Sequence, residues 1–220
     1  MKFSTLFFDL DATLYPASNG LWEQIRLRIF QYMEEVVGIP KDKIPETRDR
    51  YWKTYGTTLE GLRIHHQVEV DNYLSYVHDL PLENYLDDDP RLQEQLSSLP
   101  QDLWVFTNAD QVHAERVLKK LGIANLFSGI VDLIKLDFLV KPDPAAYEKA
   151  LKLAGGVDPA ECVLFDDLLP NLMTAKELGF TTSLVGINGQ PPDYVDYQME
   201  TIHNIKNIMP ELWTGSNQTH

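Results

Sequence analysis

Short apolar runs recur along the chain at strand length: Thr5–Leu10 (TLFFDL), Leu103–Thr107 (LWVFT), Gly129–Leu133 (GIVDL), Cys162–Phe165 (CVLF) and Thr181–Val185 (TTSLV). Each is rich in β-branched or aromatic residues and is flanked by turn or polar residues, the pattern of a buried strand. Between most of them the period lengthens to that of an amphipathic helix, at Gln111–Leu121, Asp143–Ala154 and Asn171–Leu178. Gly155 and Gly179 supply stop signals for the last two. Strands alternating with helices predict βαβ units and an α/β fold with a buried parallel sheet.

The stretch from Pro16 to Leu86 has no convincing strand. Helical period runs through Trp22–Val37, Lys41–Tyr55, Leu59–His66 and Glu69–His78, with short links at Gly38–Ile39–Pro40, Gly56–Thr57–Thr58 and Leu80–Pro81. The expected organisation is a core of residues 1–15 and 87–214, a helical insert at 16–86 after the first strand, and a polar, disordered tail at 215–220. Joined to the core near Leu14–Pro16 and again near Leu82–Asp88, the insert is placed to close over the carboxyl ends of the strands.

Composition narrows the class of partner. Among 220 residues, 33 acids face 19 Lys and Arg, a formal net charge of −14. Binding to a nucleic-acid polymer or an anionic membrane needs clustered cations, so neither is expected. A small phosphorylated substrate needs only one Lys and a few N–H groups. The single cysteine, Cys162, excludes an internal disulfide framework and a Cys-rich zinc site. No apolar run approaches the ~20 residues of a membrane span, and Met1 leads straight into a strand pattern without a leader. A cytoplasmic monomer or homodimer is expected.

In an open parallel sheet, ligands bind beyond the carboxyl ends of the strands. The first run is followed by Asp9, Asp11 and Thr13, the second by Thr107 and Asn108, and the fourth by Asp166 and Asp167, while Lys141 opens K-P-D-P at a helix entry. Gathered carboxylates repel unless a cation neutralises them, and hard oxygen ligands suit Mg²⁺. An ionised Asp can attack phosphorus once metal and Lys neutralise the phosphoryl group. A second Asp two residues on can protonate the leaving oxygen and later activate water. Each part alone has an ordinary reading as a cap, a turn or a surface lysine. Their joint occurrence, in order and each at the end of an apolar run, does not.

These motifs resemble those of the haloacid dehalogenase-like hydrolase superfamily, and more narrowly its pyrimidine 5′-nucleotidase branch. The matching stretches are FFDLDATLYP (7–16), YGTTLEGL (55–62), VFTNADQVHAERVLKKLGIANLF (105–127), KPDPAAYEKAL (141–151) and FDDLLPNL (165–172). The resemblance implies a Rossmann-like core with a helical cap inserted after the first strand. It also implies Mg²⁺-dependent hydrolysis of phosphate monoesters through an aspartyl-phosphate. By position, Asp9 would be nucleophile and metal ligand, and Asp11 general acid–base with its main-chain carbonyl on the metal. Thr107, Asn108 and Lys141 would hold phosphate, and Asp167 would ligate the metal with Asp166 as second or water-mediated ligand. Two positions depart from the branch pattern: Ala12 stands where Asn is frequent and Leu168 where Ser is common.

Other functions fit the same pattern: hydrolysis of sugar phosphates or phosphoglycolate, dehalogenation, phosphomutase chemistry, or non-catalytic binding of a phospho-ligand. Asp11 argues against dehalogenation, which needs no leaving-group acid. In the insert, Thr57 and Thr58 are the candidates for substrate selection, with helix capping as the competing reading. His65, His66 and His78 are read as packing or surface residues, and Trp22, Tyr51, Trp52 and Tyr55 as core aromatics.

Overall fold

In the computed structural model, which describes residues 2–186 and 189–214, six strands form one parallel sheet. The strands are β1 (Thr5–Phe8), β2 (Asp102–Phe106), β3 (Gly129–Val131), β4 (Cys162–Asp166), β5 (Thr181–Val185) and β6 (Tyr197–Met199). Their order is β3-β2-β1-β4-β5-β6, so β1 is central, between β2 and β4. The predicted α/β architecture is the observed one; β6 is an addition the sequence pattern does not announce. The expected tail at 215–220 lies outside the described residues.

Two units divide the chain. One comprises Met1–Ser18 and Leu86–His220 and holds the sheet; the other is Asn19–Tyr85. Within the helical unit lie α1 (Leu21–Glu35), α2 (Ile44–Tyr55), α3 (Thr58–His66) and α4 (Val70–Val77). The sheet unit carries α5 (Pro90–Ser97), α6 (Gln111–Lys120), α7 (Pro144–Leu153), α8 (Leu169–Glu177) and α9 (Ile205–Ile208). No helix among the described residues is long and apolar enough to cross a membrane.

Residues of β1 are buried throughout, as expected of a central strand covered on both faces. On one face Phe7 meets Phe106 edge-on at 6.2 Å, and Tyr147 of α7 meets Phe106 at 5.1 Å. Opposite, Phe8 stacks on Phe165 at 4.6 Å. Gly129 opens β3 because Trp104 lies across it: a Cβ there would come within 2.3 Å of the indole. In the helical unit Gly61 does the same for the α2–α3 contact, where a Cβ would sit 2.2 Å from the Tyr51 ring. That is the packing reason for the second glycine of YGTTLEGL. Free Cys162 is buried and its thiol points to the Asp158 carbonyl, with burial pushing its pKa up to about 12.

Sheet register sets the stage for the site. Phe8 pairs with Val105 and Phe165, so the residues following β1, β2 and β4 emerge together at the carboxyl end of the sheet. The Asp9 N–H donates to the Phe165 carbonyl at 2.8 Å and the Thr107 N–H to Val131 at 2.9 Å, carrying the ladders one residue beyond the strands.

Candidate active site

Lys141 is the centre of the crevice. Its side chain is buried, and its ammonium donates to Asp9 Oδ1 at 2.8 Å and to Asp166 Oδ2 at 2.6 Å. Burial opposes the charge on Lys141, but Asp166 and Asp9 outweigh it and raise its pKa above the ordinary lysine value. The ammonium is therefore a fixed cation at the ends of β1 and β4. Asn108 sets its backbone: Asn108 Oδ1 accepts the Lys141 N–H at 2.8 Å and Nδ2 donates to the Lys141 carbonyl at 2.9 Å. The amide expected to face phosphate is thus mainly a bracket for the lysine, with one Nδ2 hydrogen remaining for a ligand. Thr107 is buried; its hydroxyl oxygen accepts from the Ala109 N–H at 3.0 Å, leaving the hydroxyl hydrogen to donate.

The two adjacent acids after β4 occupy different environments. Both oxygens of fully buried Asp166 are engaged: Oδ1 accepts from the Leu168 N–H and Asn171 Nδ2 at 2.9 Å each, and Oδ2 accepts from Lys141 and from Asn171 Nδ2 at 3.1 Å. Asp166 spends its lone pairs on anchoring Lys141 and α8. Asp167 is only partly buried, and burial followed by the nearby Asp166 charge pushes its pKa up to about 7, against the opposing pull of Lys141. Asp9 is likewise raised well above the usual carboxylate range, by burial first, with Lys141 opposing and Asp166 and Asp167 adding. One ammonium does not balance this set of acids.

Asp11 turns to a different pair of residues. Its Oδ1 accepts from the Tyr15 hydroxyl in a short hydrogen bond, and His113 Nε2 lies 3.0 Å from the same oxygen. Tyr15 and His113 are both buried, and burial followed by Asp11 raises the Tyr15 pKa well above its usual value, so its hydroxyl stays a donor. Neither residue stood out in the sequence. His113 lies in the helical stretch Gln111–Leu121 and in the matching stretch 105–127, and Tyr15 in FFDLDATLYP, with no role assigned to either side chain. Ala12, between these acids and Thr13, has φ +65°, a left-handed backbone that Asn or Gly adopts more readily than Ala. Next to Asp167 lies a cavity of about 460 Å³ whose lining includes Thr13, Tyr15, Leu184, Val185 and Ile202, room of the size small ligands occupy.

The helical unit presents its candidates otherwise. Thr57 is the N-cap of α3, its hydroxyl accepting from the Glu60 N–H at 3.2 Å, and Thr58 is buried in the first turn. His66 bonds Tyr51 at 3.0 Å and His65 bonds Tyr55 at 2.7 Å, a packing arrangement between α2 and α3.

Could these residues hold a divalent cation? Among the described residues, no three His, Cys, Asp or Glu side chains gather closely enough to do so unaided. Mg²⁺ does not require that. It keeps several waters and is held by one or two carboxylates together with phosphate oxygens. Asp9 and Asp167, two carboxylates whose pKa values are raised by burial first and by neighbouring acids after it, fit such a site.

Comparison with known proteins gives the family and the fold. The yeast protein named Phosphate metabolism protein 8, from Saccharomyces cerevisiae, is 33% identical over 187 residues, which is 79% of this chain. The chain spans 58% of that relative's length. Among solved structures, a HAD phosphatase from Thermococcus onnurineus superposes with a TM-score of 0.64 at 18% identity, over 93% of this chain and 96% of that one. The L-2-haloacid dehalogenase of Xanthobacter autotrophicus, solved with chloropropionic acid covalently bound, gives 0.62 at 14% identity over 98% and 100%. At these identities the two structures share the fold. The family model for haloacid dehalogenase-like hydrolases matches residues 3–179, so the chain belongs to that family of hydrolases.

Proposed function

We propose that this hydrolase cleaves small phosphate monoesters through an aspartyl-phosphate, with pyrimidine nucleoside 5′-monophosphates as the substrate class. The observation that carries the reading is the end of β1. There Asp9 lies against the Lys141 ammonium, and two residues on Asp11 has donors of its own. A carbon–halogen bond breaks without protonation of the leaving group, whereas an alkoxide leaving from phosphorus needs an acid, and Asp11 supplies it. The nucleotide preference is supported by the resemblance of YGTTLEGL and the Tyr15–Pro16 pair to the nucleotidase branch, and the phosphate chemistry by the relative's name. A buried lone thiol suits a reducing cytoplasm.

In the proposed mechanism an Asp9 oxygen adds to phosphorus, and the bond from phosphorus to the ester oxygen breaks. Asp11 gives that oxygen its proton. Water then attacks the phosphorus of the aspartyl-phosphate, Asp11 takes a proton from it, and phosphate leaves with Asp9 restored. Lys141, the Thr107 hydroxyl and the remaining Asn108 amide hydrogen hold the phosphoryl oxygens. Asp9, Asp167 and the Asp11 carbonyl would hold Mg²⁺, which supplies Lewis-acid neutralisation of phosphoryl charge when bound. Asp166 acts through Lys141.

The test is product release from UMP, a sugar phosphate and 2-chloropropionate, each with Mg²⁺ and with EDTA, for the native chain and for Asp9→Asn. Phosphate release from UMP is expected only with Mg²⁺, and Asp9→Asn is expected to be folded yet slower by about 10⁴-fold or more. Chloride release, full activity in EDTA, or a near-native Asp9→Asn would overturn the reading. Faster turnover of the sugar phosphate would overturn the nucleotide preference alone.

A further inference from the structure

The residues around Asp11 go beyond the motif acids. A general acid works only when its carboxyl group is aimed at the leaving oxygen, and an Asp side chain has two torsions that water or a neighbouring acid can turn. Here the carboxylate is gripped from two independent elements. Tyr15 reaches back from four residues down the same loop, and His113 comes from the first turns of α6, beyond β2. Both meet the same oxygen, Oδ1, and both are at most 2% exposed. The His113 main chain is fixed at the helix start, where its backbone N–H donates to the capping Asp110 carboxylate at 2.8 Å. Since α6 begins just after Thr107 and Asn108, the segment that holds phosphate also sends His113 to the acid.

We infer that Tyr15 and His113 are positioning residues of the general acid–base: by fixing Oδ1 of Asp11 they hold its carboxyl group in the orientation that meets the ester oxygen. The inference rests on the phosphatase reading above and deepens it. Neither residue touches the reacting atoms. Their loss would leave Asp9, Lys141 and the phosphate cradle in place and let Asp11 swing.

Leaving-group dependence isolates this role. Nitrophenolate departs from phosphorus with little help from an acid, whereas phenolate needs the proton, and the two esters differ little in bulk. The experiment measures kcat/KM for p-nitrophenyl phosphate and phenyl phosphate in the native chain, Tyr15→Phe, His113→Leu, His113→Gln and Asp11→Asn, alongside the inhibition constant of inorganic phosphate. For Tyr15→Phe and His113→Leu the phenyl/p-nitrophenyl ratio should fall at least about 10-fold, part of the ~10²–10⁴ that a general acid contributes. Phosphate inhibition should change less than about 2-fold, on the reasoning that the acid does not hold the phosphoryl group. His113→Gln, which retains an N–H donor, should recover part of the ratio. If Asp11→Asn lowers the ratio and both Tyr15→Phe and His113→Leu leave it at the native value, the positioning inference fails. If Asp11→Asn itself leaves the ratio unchanged, the acid reading beneath it fails. A uniform loss on both esters, with weakened phosphate inhibition, would make the two residues scaffold and overturn the inference.

Discussion

Histidines in the two units make an instructive contrast. In the helical unit, His65 and His66 are exposed and bond tyrosines of the neighbouring helix, close by in sequence. His113 of the sheet unit is buried, and its partner Asp11 stands on the far side of the whole helical insert in sequence. The first pair is what helix packing produces when aromatic rings face each other across a short turn. The second requires a complete sheet to bring β1 and the start of α6 to one end. The same separation holds for charge. Local ion pairs such as Glu23–Arg26 lie on the surface, while the acids around Lys141 are buried and underneutralised. The acids around Lys141 are brought together by long-range structure and left in electrostatic tension, whereas the surface pair is satisfied by its sequence neighbour.

The contrast breaks most visibly at Lys141. Lys141→Met leaves Asp9 and Asp166 buried without their cation, and is expected to cost about 3–5 kcal/mol of stability by denaturant unfolding, together with activity. Lys149→Met, which removes only the surface partner of Asp137, should change stability by no more than about 1 kcal/mol. Equal effects from the two lysines would erase the distinction drawn here.

Next in size is the cap of the helical unit. Thr57→Ala removes the acceptor for Glu60 and should cost about 1 kcal/mol. Because the hydroxyl serves the helix, UMP and p-nitrophenyl phosphate should be affected alike. A rise in KM for UMP alone would instead return Thr57 to the substrate-selecting role.

The smallest effect is expected at Ala12. With φ at +65°, Ala12→Gly or Ala12→Asn should stabilise the fold by about 0.5–1 kcal/mol, measured as a raised thermal midpoint. No gain would mean that alanine carries no strain at this backbone angle.

Much of this was legible in the sequence because it is local. Strands β1 to β5 have apolar runs, α7 and α6 start directly after the capping residues Asp143 and Asp110, and each motif acid follows a run. β6 escaped because Tyr197–Met199 has no apolar run: a glutamine sits at its centre and Asp196 and Glu200 flank it. The Asn108 bracket escaped for a different reason. An amide side chain reads as a ligand donor until the fold shows it already paired with the main chain of Lys141. Tyr15 and His113 could be found only together, through a shared oxygen on Asp11.

The central position of β1 has a consequence for how the chain acquires its structure. Thr5 pairs with Asp102 on one side and with Cys162 on the other, whereas the helices of residues 19–85 bond largely within their own stretch. Closing such long loops costs entropy before any pairing repays it, so the sheet is the slow step and the helices the fast one. During synthesis β1 emerges before both of its partners, and it has no neighbour until β2 and then β4 have followed it out. Through that interval TLFFDL has both edges open, an apolar strand of the kind that aggregates or engages chaperones. The strand at the centre of the sheet is thus made before either of the two strands that enclose it.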